Sequence, residues 1–369
     1  MGGRKRQNRS VKGREHTQQA RKGQNANTIM AFTASQLLKV QTVADDLWRD
    51  NRTQIDYMAE CDVAKALQSE STAMLSALQD PAKTKTVKLI WLNACDVTDA
   101  AVDNDCAITG PELSSDSEDY TLDIFRKTSF SVKEIQARTD EFTLAQQIAR
   151  GLLQCDKVLA EYVAEQAVAK LESYRGTNTY LTPVGSTAWS LSGSDTVVPA
   201  DQWTTGLMPK LSLTARKNKF INPALISGEA LWYMNEEAAN NQGNDDGKGD
   251  ATRIRKYFDR KYFDPVKIDE VNAGTFKAYM VDRGAIAMVT KSHYPSVPTI
   301  YQNPWQMRYQ VESKNLPGVF WEVIYSNSCT TGEITHVWQL KVNAGIFLNP
   351  TGCTSTNTGV LSFVRPEGV

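Results

Sequence analysis

The side chains that most often carry catalysis are scarce in this chain of 369 residues. It has three histidines, His16, His293 and His336. A hydrolytic triad would need His293 or His336 beside an activated Ser or Cys, and no GxSxG sequence supplies such a nucleophile. No Walker A or GxGxxG sequence is present either, so nothing indicates a nucleotide cofactor. We therefore expect no enzymatic activity and no cofactor.

One loop imitates a calcium site without completing it. The segment Gln242–Arg253 has Asn244, Asp246 and Gly247 at the spacing of a calcium loop. Its first position is a Gln, however, and its twelfth is Arg253, where calcium requires a bidentate Glu. We interpret the segment as a solvated loop, and we expect no metal site.

The six cysteines are not arranged as a metal or redox motif. None forms a CxxC pair. Cys95 and Cys106 flank an acidic turn, and Cys329 and Cys353 flank the last predicted strand, but spacing does not decide whether either pair meets. The simplest interpretation is a reduced, cytosolic chain with six buried free thiols.

The composition fits a folded chain. With 41% hydrophobic and 22% charged residues, the chain can bury a sizeable core and is not of the disordered or collagen-like classes. No stretch approaches the ~20 apolar residues of a membrane span. The basic N-terminus has no apolar run behind it, so we expect neither a signal peptide nor a membrane partner.

A net charge of −1 hides a strong asymmetry. Residues 1–30 contain eight basic side chains and a single acid, giving +7, and the rest of the chain therefore carries −8. The segment is poor in apolar residues, so alone it should be disordered. The basic residues of this arm are Arg4, Lys5, Arg6, Arg9, Lys12, Arg14, Arg21 and Lys22.

The opposite charge lies between Ile90 and Phe125, where no Lys or Arg occurs. Its acids are Asp96, Asp99, Asp103, Asp105, Glu112, Asp116, Glu118, Asp119 and Asp123. A basic arm and an acidic loop can attract each other within or between copies. The arm could equally bind phosphates, or be a solubilising tail beside an ordinary loop. A second possible basic partner comprises Arg253, Arg255, Lys256, Arg260 and Lys261.

Helical periodicity dominates the first half of the chain. Residues 34–50 predict an amphipathic helix capped by Thr33 or Ser35. A second helix is predicted from Ile55 to Leu78. The strongest signal covers residues 139–174, a helix of about 54 Å at 1.5 Å per residue. Gly151 inside this spine helix marks a bend or a close packing contact.

Strand patterns alternate with these helices, so the predicted class is α+β. A strand at Thr84–Leu92 and returning strands at Tyr120–Phe125 and Ser129–Val132 enclose the acidic segment as a long two-stranded excursion. A short helix is predicted to start at Asn222–Pro223. Later strands are predicted at Thr275–Met280, Ala285–Thr290, Met307–Glu312, Val319–Tyr325 and Ile334–Leu348, where Trp305, Trp321 and Trp338 should pack in the core.

This order of elements resembles the major capsid protein of tailed double-stranded DNA phages, with the Hong Kong 97-type fold. Three stretches are also similar to such proteins from phages of Bacteroidetes-type bacteria: FSVKEIQARTDEF before the spine, INPALISGEALWY, and GTFKAYMVDRGAIAMV. The resemblance implies a subunit that self-assembles into pentamers and hexamers of an icosahedral shell around the phage DNA. It implies assembly in the host cytoplasm, a place in the virion, and scaffold, portal and decoration proteins as possible partners.

The resemblance also implies a division of the chain. Residues 1–80 would be the basic arm with its helices, 81–138 a strand and the E-loop hairpin, 139–176 the spine helix of the peripheral domain, 177–300 the axial domain, and 301–369 peripheral strands and a C-terminal tail. The family's founding member joins subunits through a Lys of the E-loop. Because Ile90–Phe125 contains no Lys, we expect non-covalent cohesion.

Two other interpretations remain open. One is a non-viral shell of the same fold, an encapsulin, for which the +7 arm has no obvious use. The other is a nucleic-acid-binding enzyme or packaging factor anchored by the arm, which the missing catalytic constellation disfavours. A third structural alternative, a jelly-roll capsid protein, is disfavoured because a predicted helix of 36 residues fits that all-β fold badly.

Overall fold

The computed structural model of the chain describes residues 32–50, 56–71, 86–92, 115–134, 143–185, 187–204, 206–229, 258, 260–272, 276–330, 333–349 and 358–366. Within these ranges the helices are α1 (Ala34–Arg49), α2 (Asp62–Glu70), α3 (Leu144–Tyr174), α4 (Leu207–Lys217) and α5 (Pro265–Val271), with a 3₁₀ turn at Ala200–Gln202. The strands are β1 (Thr86–Leu92), β2 (Ser115–Thr121), β3 (Ile124–Lys133), β4 (Ser190–Ser192), β5 (Asp195–Val197), β6 (Pro223–Ser227), β7 (Lys261–Phe263), β8 (Lys277–Asp282), β9 (Ile286–Thr290), β10 (Thr299–Tyr301), β11 (Asn303–Glu312), β12 (Phe320–Thr330), β13 (Glu333–Leu348) and β14 (Val360–Val364). The predicted α+β class is confirmed.

The spine helix is α3, whose 31 residues span about 46 Å. It begins at Leu144 because Thr143 forms a capping box with Gln146, in which each side chain bonds the other residue's backbone N–H. Its apolar stripe is buried over the whole length, from Ile148 to Leu171. The helix therefore serves as the axis on which the other layers pack.

The larger sheet lies against α1 and α3. Its strand order is β10-β11-β12-β13-β3, and β9 pairs with the far end of β13. Residues of β13 alternate between buried and half-buried positions along most of the strand, as expected for a sheet with one face on the core. That face contributes Trp321 and Trp338, both fully buried, which confirms their predicted core role, whereas Trp305 is half-buried.

The second sheet has the order β4-β5-β14-β8-β6-β7. Its central strands are buried on both faces. In β8, Tyr279 and Val281 face the main core, whereas Ala278 and Met280 face a second apolar cluster that includes Leu211 of α4. This sheet therefore separates the main core from a smaller one.

Two strands pair across the segment limits that the resemblance implied. Ile286–Thr290, placed in the segment 177–300, is β9 and pairs with β13 of the larger sheet. Val360–Val364, placed with the peripheral strands, is β14 and inserts between β5 and β8. The chain crosses between the sheets at a turn that Gly284 makes with φ of 81°, a conformation that favours glycine.

The predicted start of a helix at Asn222–Pro223 is wrong, and the later part of that predicted helix, from residue 230, lies outside the described residues. Residues 223–227 form β6, which pairs antiparallel with β8 and parallel with β7. Leu225 and Ile226 are buried in opposite clusters, an alternation that only a strand provides. The second predicted helix is shorter than expected within the described residues, because Met58–Cys61 is not helical.

Candidate intersubunit surfaces

Strands β1 and β2 form a two-stranded sheet of their own. They pair antiparallel from Thr86↔Thr121 to Leu92↔Ser115, a length of about 20 Å at 3.3 Å per residue. The hairpin is attached at its base, where Val87 and Leu122 form a small buried cluster with Val289 and Phe347. The two-stranded excursion predicted from the sequence is therefore present, with its return strand at Ser115–Thr121.

Few of the predicted acids fall within the described residues. Asp116, Glu118 and Asp119 lie on β2, opposite Trp91, Leu89 and Lys88 respectively, and Asp119 is exposed. Asp123, which follows the hairpin, pairs with Lys170 of the spine helix. Five predicted acids lie outside the described residues: Asp96, Asp99, Asp103, Asp105 and Glu112.

The predicted basic arm also lies outside the described residues, including Arg4, Lys5, Arg6, Arg9, Lys12, Arg14, Arg21 and Lys22. Its point of attachment is described. Phe32 packs edge-on against His336, Tyr325 and Trp338, with ring centroids 4.9, 5.9 and 6.1 Å away, and its backbone N–H donates to the Tyr325 hydroxyl at 3.3 Å. The arm therefore starts from an aromatic anchor on the larger sheet.

Burial shifts the pKa values of Tyr325 and His336 in this anchor. The Tyr325 hydroxyl lies 2.9 Å from Nδ1 of His336. Desolvation raises the pKa of Tyr325 to about 12 and lowers the pKa of His336 below its usual value. His336 is therefore a neutral structural side chain, and His293 contributes only its backbone N–H, to Glu322.

The second predicted basic set is partly described. Arg253, Arg255 and Lys256 lie outside the described residues. Arg260 pairs with the buried carboxylate of Glu70 and donates to the Asn222 carbonyl oxygen. Lys261 lies in β7, opposite Leu225 of β6. Arg260 therefore connects elements of its own chain.

A buried carboxylate joins the spine helix to the turn between β11 and β12. Asp156 of α3 is 4% exposed. Its Oδ1 accepts from Ser313 Oγ and Trp321 Nε1, both at 2.5 Å. Its Oδ2 accepts from the backbone N–H groups of Lys314 and Asn315 at 3.1 and 3.2 Å and from Asn315 Nδ2 at 2.8 Å. Five neutral donors thus satisfy one buried carboxylate, and no cation of the described residues pairs with it.

The same network reaches the segment before α2. Asn315 Nδ2 also donates to the carbonyl oxygen of Tyr57 at 3.1 Å, and Asn315 Oδ1 accepts from the N–H of Ala59 at 2.7 Å. Cys61 is buried beside it, and desolvation raises the pKa of its thiol to about 12. The network therefore fixes three chain segments to one point of the spine helix.

A different kind of junction joins the C-terminal end of α3 to the smaller sheet. Lys277 Nζ lies 2.9 and 3.0 Å from the two carboxylate oxygens of Glu172 and 3.5 Å from Asp195. Arg175 pairs with both acids, 2.8 Å from Asp195, and Tyr279 donates to Glu172. Two cations therefore neutralise two carboxylates where the helix leaves the larger sheet.

Asp264 organises two helices at once. Its Oδ1 accepts from the N–H of Lys267 and thereby caps α5, while Oδ2 accepts from the N–H of Val63 in α2, both at 2.9 Å. The residue preceding α2, Cys61, gives it no side-chain cap, so Asp264 supplies that acceptor from about 200 residues away in the chain.

Gly151 makes a close packing contact. A Cβ atom there would lie 2.8 Å from Cζ of Phe130 and closer still to two other ring atoms. The Phe130 ring in turn stacks on Trp338 at a centroid distance of 5.2 Å. The glycine therefore lets β3 approach the spine helix.

The remaining predictions concern thiols, metals and membranes. Cys61 and Cys155 are buried free thiols as predicted, but Cys329 is exposed, because it lies at the outer end of β12. Among the described residues no cluster of His, Cys, Asp or Glu could hold a metal ion. In the same part of the chain, no helix is long and apolar enough to cross a membrane.

The sequence did not predict that Asp156 and Asp264 are buried acids that join distant segments of the chain. A signal for Asp156 was present, since it lies between Leu152 and Leu159 on the apolar stripe of a strongly periodic helix. An acid at a core position requires buried donors. The sequence did not indicate which donors these are, because Ser313, Asn315 and Trp321 follow more than 150 residues later.

Comparisons with known proteins gave matches only among solved structures; no family model and no curated protein matches the chain. A chain of Mycobacterium phage Che8 aligns with 13% identity over 80% of this chain and 90% of its own, with a TM-score of 0.45. The capsid of Ralstonia phage GP4 aligns with 10% identity over 76% and 83%, with a TM-score of 0.44. The capsid asymmetric unit of cyanophage A-1(L) aligns with 9% identity over 83% and 93%, with a TM-score of 0.48.

Proposed function

We propose that this chain is the structural subunit of a capsid shell, the major capsid protein of a tailed phage. Its elements follow the order of the Hong Kong 97-type fold to which the sequence is similar: an anchored N-terminal extension, a projecting hairpin, a spine helix and two sheets. Its role is structural, and no step of catalysis is assigned to it.

The observation that carries the proposal is the hairpin β1–β2. It belongs to neither sheet of the body. Among the described residues, a cluster of four buried side chains with Tyr120 and a hydrogen bond from the Tyr120 hydroxyl to the Leu348 carbonyl oxygen attach it. A two-stranded sheet alone is at best marginally stable in water. A projecting hairpin of this kind gains stability when another copy of the chain covers it, which is how extended segments bury surface in a shell.

The charges favour the same assembly. The arm carries +7 and the rest of the chain −8, so the arm of one copy can bind acidic surfaces of its neighbours. Many weak contacts of this kind add up in a closed shell. On the inner face, the arm can also neutralise phosphates of packaged double-stranded DNA.

The finer parts of the function belong to the same proposal. We place the mature protein in the virion, assembled in the bacterial host's cytoplasm as pentamers and hexamers. Scaffold, portal and decoration proteins are its further partners. The host group, the axial and peripheral domain limits and the arm–loop contact stay predictions.

Electron microscopy of the purified chain tests the proposal. Particles would be imaged in negative stain at low salt and at about 1 M salt, where the Debye length falls to ~3 Å. We expect closed shells tens of nanometres across at low salt, because the arm and the acidic surfaces then attract. Shells lost at high salt would assign cohesion to these charges.

A chain that stays a monodisperse monomer or dimer at both salts, with and without a co-expressed scaffold, would contradict the proposal. A DNA-binding assay on the same preparation would then identify a nucleic-acid-binding protein. Deleting residues 1–30 is the matched variant, since it removes the +7 arm and leaves the Phe32 anchor intact.

A further inference from the structure

The turn between α4 and β6 presents an isoleucine to solvent. Ile221 is 92% exposed, whereas its neighbour Phe220 is buried. An exposed branched apolar side chain is unremarkable when it sits on a loose loop. Here the surrounding backbone is fixed on both sides.

The preceding residues form a Schellman motif at the end of α4. The N–H of Phe220 donates to the Ala215 carbonyl at 2.9 Å and the N–H of Lys219 to the Arg216 carbonyl at 3.1 Å. Lys219 adopts φ of 64°. A non-glycine residue in this region is strained, and such strain is retained where the surrounding structure determines the turn.

The following residues are held by Asp282 at the end of β8. Its carboxylate accepts from the N–H of Ile221 at 3.1 Å and from the N–H of Asn222 at 2.8 Å. The Asn222 carbonyl accepts from Arg260 and from the N–H of Arg283. Ile221 is therefore displayed on a turn that needs little ordering when it binds.

The chain segments that form this turn are rich in cations. Arg216, Lys217, Lys219 and Arg283 are exposed, and no ion pair joins any of them to a described carboxylate. Four cations against the one acid Asp282 give these segments a formal charge of +3. The surface is thus an apolar knob with a basic rim.

A complementary surface exists elsewhere on the same chain. A half-open cavity of about 200 Å³ lies between α1, α3 and the larger sheet. Its apolar wall consists of Ala44, Leu152, Leu153, Val311, Trp321 and Leu340. Asp45, Glu312 and the buried Asp156 line it together with a single cation, Lys314, which pairs with Asp45 at 2.6 Å. The cavity is apolar, and its three acids and one cation give its lining a formal charge of −2.

We propose that Ile221 of one copy inserts into this cavity of a second copy. The inference rests on the proposed shell function and names one contact within it. None of the residues that line the cavity belongs to α4, β6 or β8, which carry the knob. The contact therefore joins two different surfaces, and such a contact can repeat head-to-tail and close into rings when its rotation permits. Apolar insertion supplies affinity, and the opposite charges supply orientation.

Substitution of the knob is the first test, by sedimentation and electron microscopy of the full chain. Ile221→Asp should raise the concentration needed for assembly by about tenfold or more, the loss expected for one buried anchor. Its melting temperature before assembly should stay unchanged because the side chain is exposed. Ile221→Leu should assemble normally. If Ile221→Asp assembles like the wild type, the proposal is wrong.

Cross-linking tests whether Ile221 of one copy binds in the cavity of another. In a background with Cys95, Cys106, Cys329 and Cys353 replaced by Ser, one copy would carry Ile221→Cys and a second, larger tagged copy Gln41→Cys, since Gln41 lines the cavity. A bismaleimide should join the two copies in assembled particles, with a yield about tenfold above that of either single variant. If the wild type forms shells but the cysteine variants give no cross-link in their particles, the cavity is not the binding site of Ile221, and the shell function still stands. An absence of shells in the wild type would overturn both.

Discussion

Two carboxylates of the spine helix, Asp156 and Glu172, are held in opposite ways. Asp156, near its middle, is satisfied by five neutral donors from the β11–β12 turn and β12. Glu172, in its last turn, lies among cations, with Lys277 and Arg175 beside it. One junction is a network of hydrogen bonds to a single charge, and the other is a neutral cluster of four charges.

The difference reflects what each junction connects. Asp156 binds two backbone N–H groups of a tight turn. These donors are fixed in direction and have no other acceptor within the network, so they define one position for the carboxylate. Glu172 binds the long side chains of Arg175, which follows α3, and of Lys277 in β8. Asp195 pairs with the same two cations and can take over part of the interaction. The first junction is therefore rigid and vulnerable, and the second is more tolerant of change.

Removal of Asp156 should have the largest effect. Asp156→Ala leaves Ser313, Asn315 and Trp321 with buried donors that lack an acceptor, and we expect a loss of about 3–5 kcal/mol in the free energy of unfolding. Urea denaturation at fixed protein concentration and high salt measures it. The control is Asp45→Ala, which removes a partly exposed pair with Lys314 and should cost about 0–1 kcal/mol. Equal losses in the two variants would contradict the distinction.

Glu172→Ala should cost less, about 2 kcal/mol, because Asp195 still faces Lys277 and Arg175. The double variant Glu172→Ala with Lys277→Met would remove the uncompensated cation and recover part of the loss. The same denaturation experiment measures both. A loss for Glu172→Ala that matches Asp156→Ala would show that the cationic junction is as rigid as the neutral one.

Gly151→Ala tests the apolar contact between the spine helix and Phe130 of β3. The added methyl group would overlap the Phe130 ring, and we expect a loss of about 1–3 kcal/mol. Gly206→Ala is the matched control, since its φ is −68° and its nearest neighbour atom lies 3.5 Å from the new methyl group. That control should change stability by about 0.5 kcal/mol at most. A harmless Gly151→Ala would mean that β3 has room to move away from the helix.

The smallest expected effect is the pH dependence of the aromatic anchor. Burial lowers the pKa of His336 in the folded state, so the unfolded chain binds its proton more readily as pH falls through about 6.5. Folded-state stability should therefore decrease below that pH, by at most ~1.4 kcal/mol per pH unit. His336→Gln should flatten the wild-type curve between pH 7 and 5. Parallel curves for the two proteins would rule out this contribution.

The sequence predicted those parts of the fold that depend on local periodicity. The stripe of α3, the amphipathic α1 and the long β13 have periods of 3.6 or 2 that any packed chain must respect. The excursion around the acidic segment was predicted from turn formers and β-branched runs. The segment at Pro223 was predicted incorrectly because a short apolar run has no period of its own, and pairing with β8 decided it.

The candidate surfaces were predicted less completely. Opposite charges of the arm and the acidic segment are properties of composition, and the sequence alone established them. The knob at Ile221 was not predictable, because it requires Asp282, some 60 residues later, to hold the turn. The cavity proposed to bind Ile221 was not predictable either, because residues of α1, α3 and three strands line it together.

What the sequence determined by itself is therefore the class of the fold, the existence and C-terminal end of the spine helix and the distribution of charge, since each follows from neighbouring residues. Only the tertiary structure decided that Asp156 is satisfied without a cation, that β9 and β14 cross between sheets, and that Ile221 is rigid and exposed. These features depend on contacts between residues far apart in the chain, whose geometry no local pattern encodes.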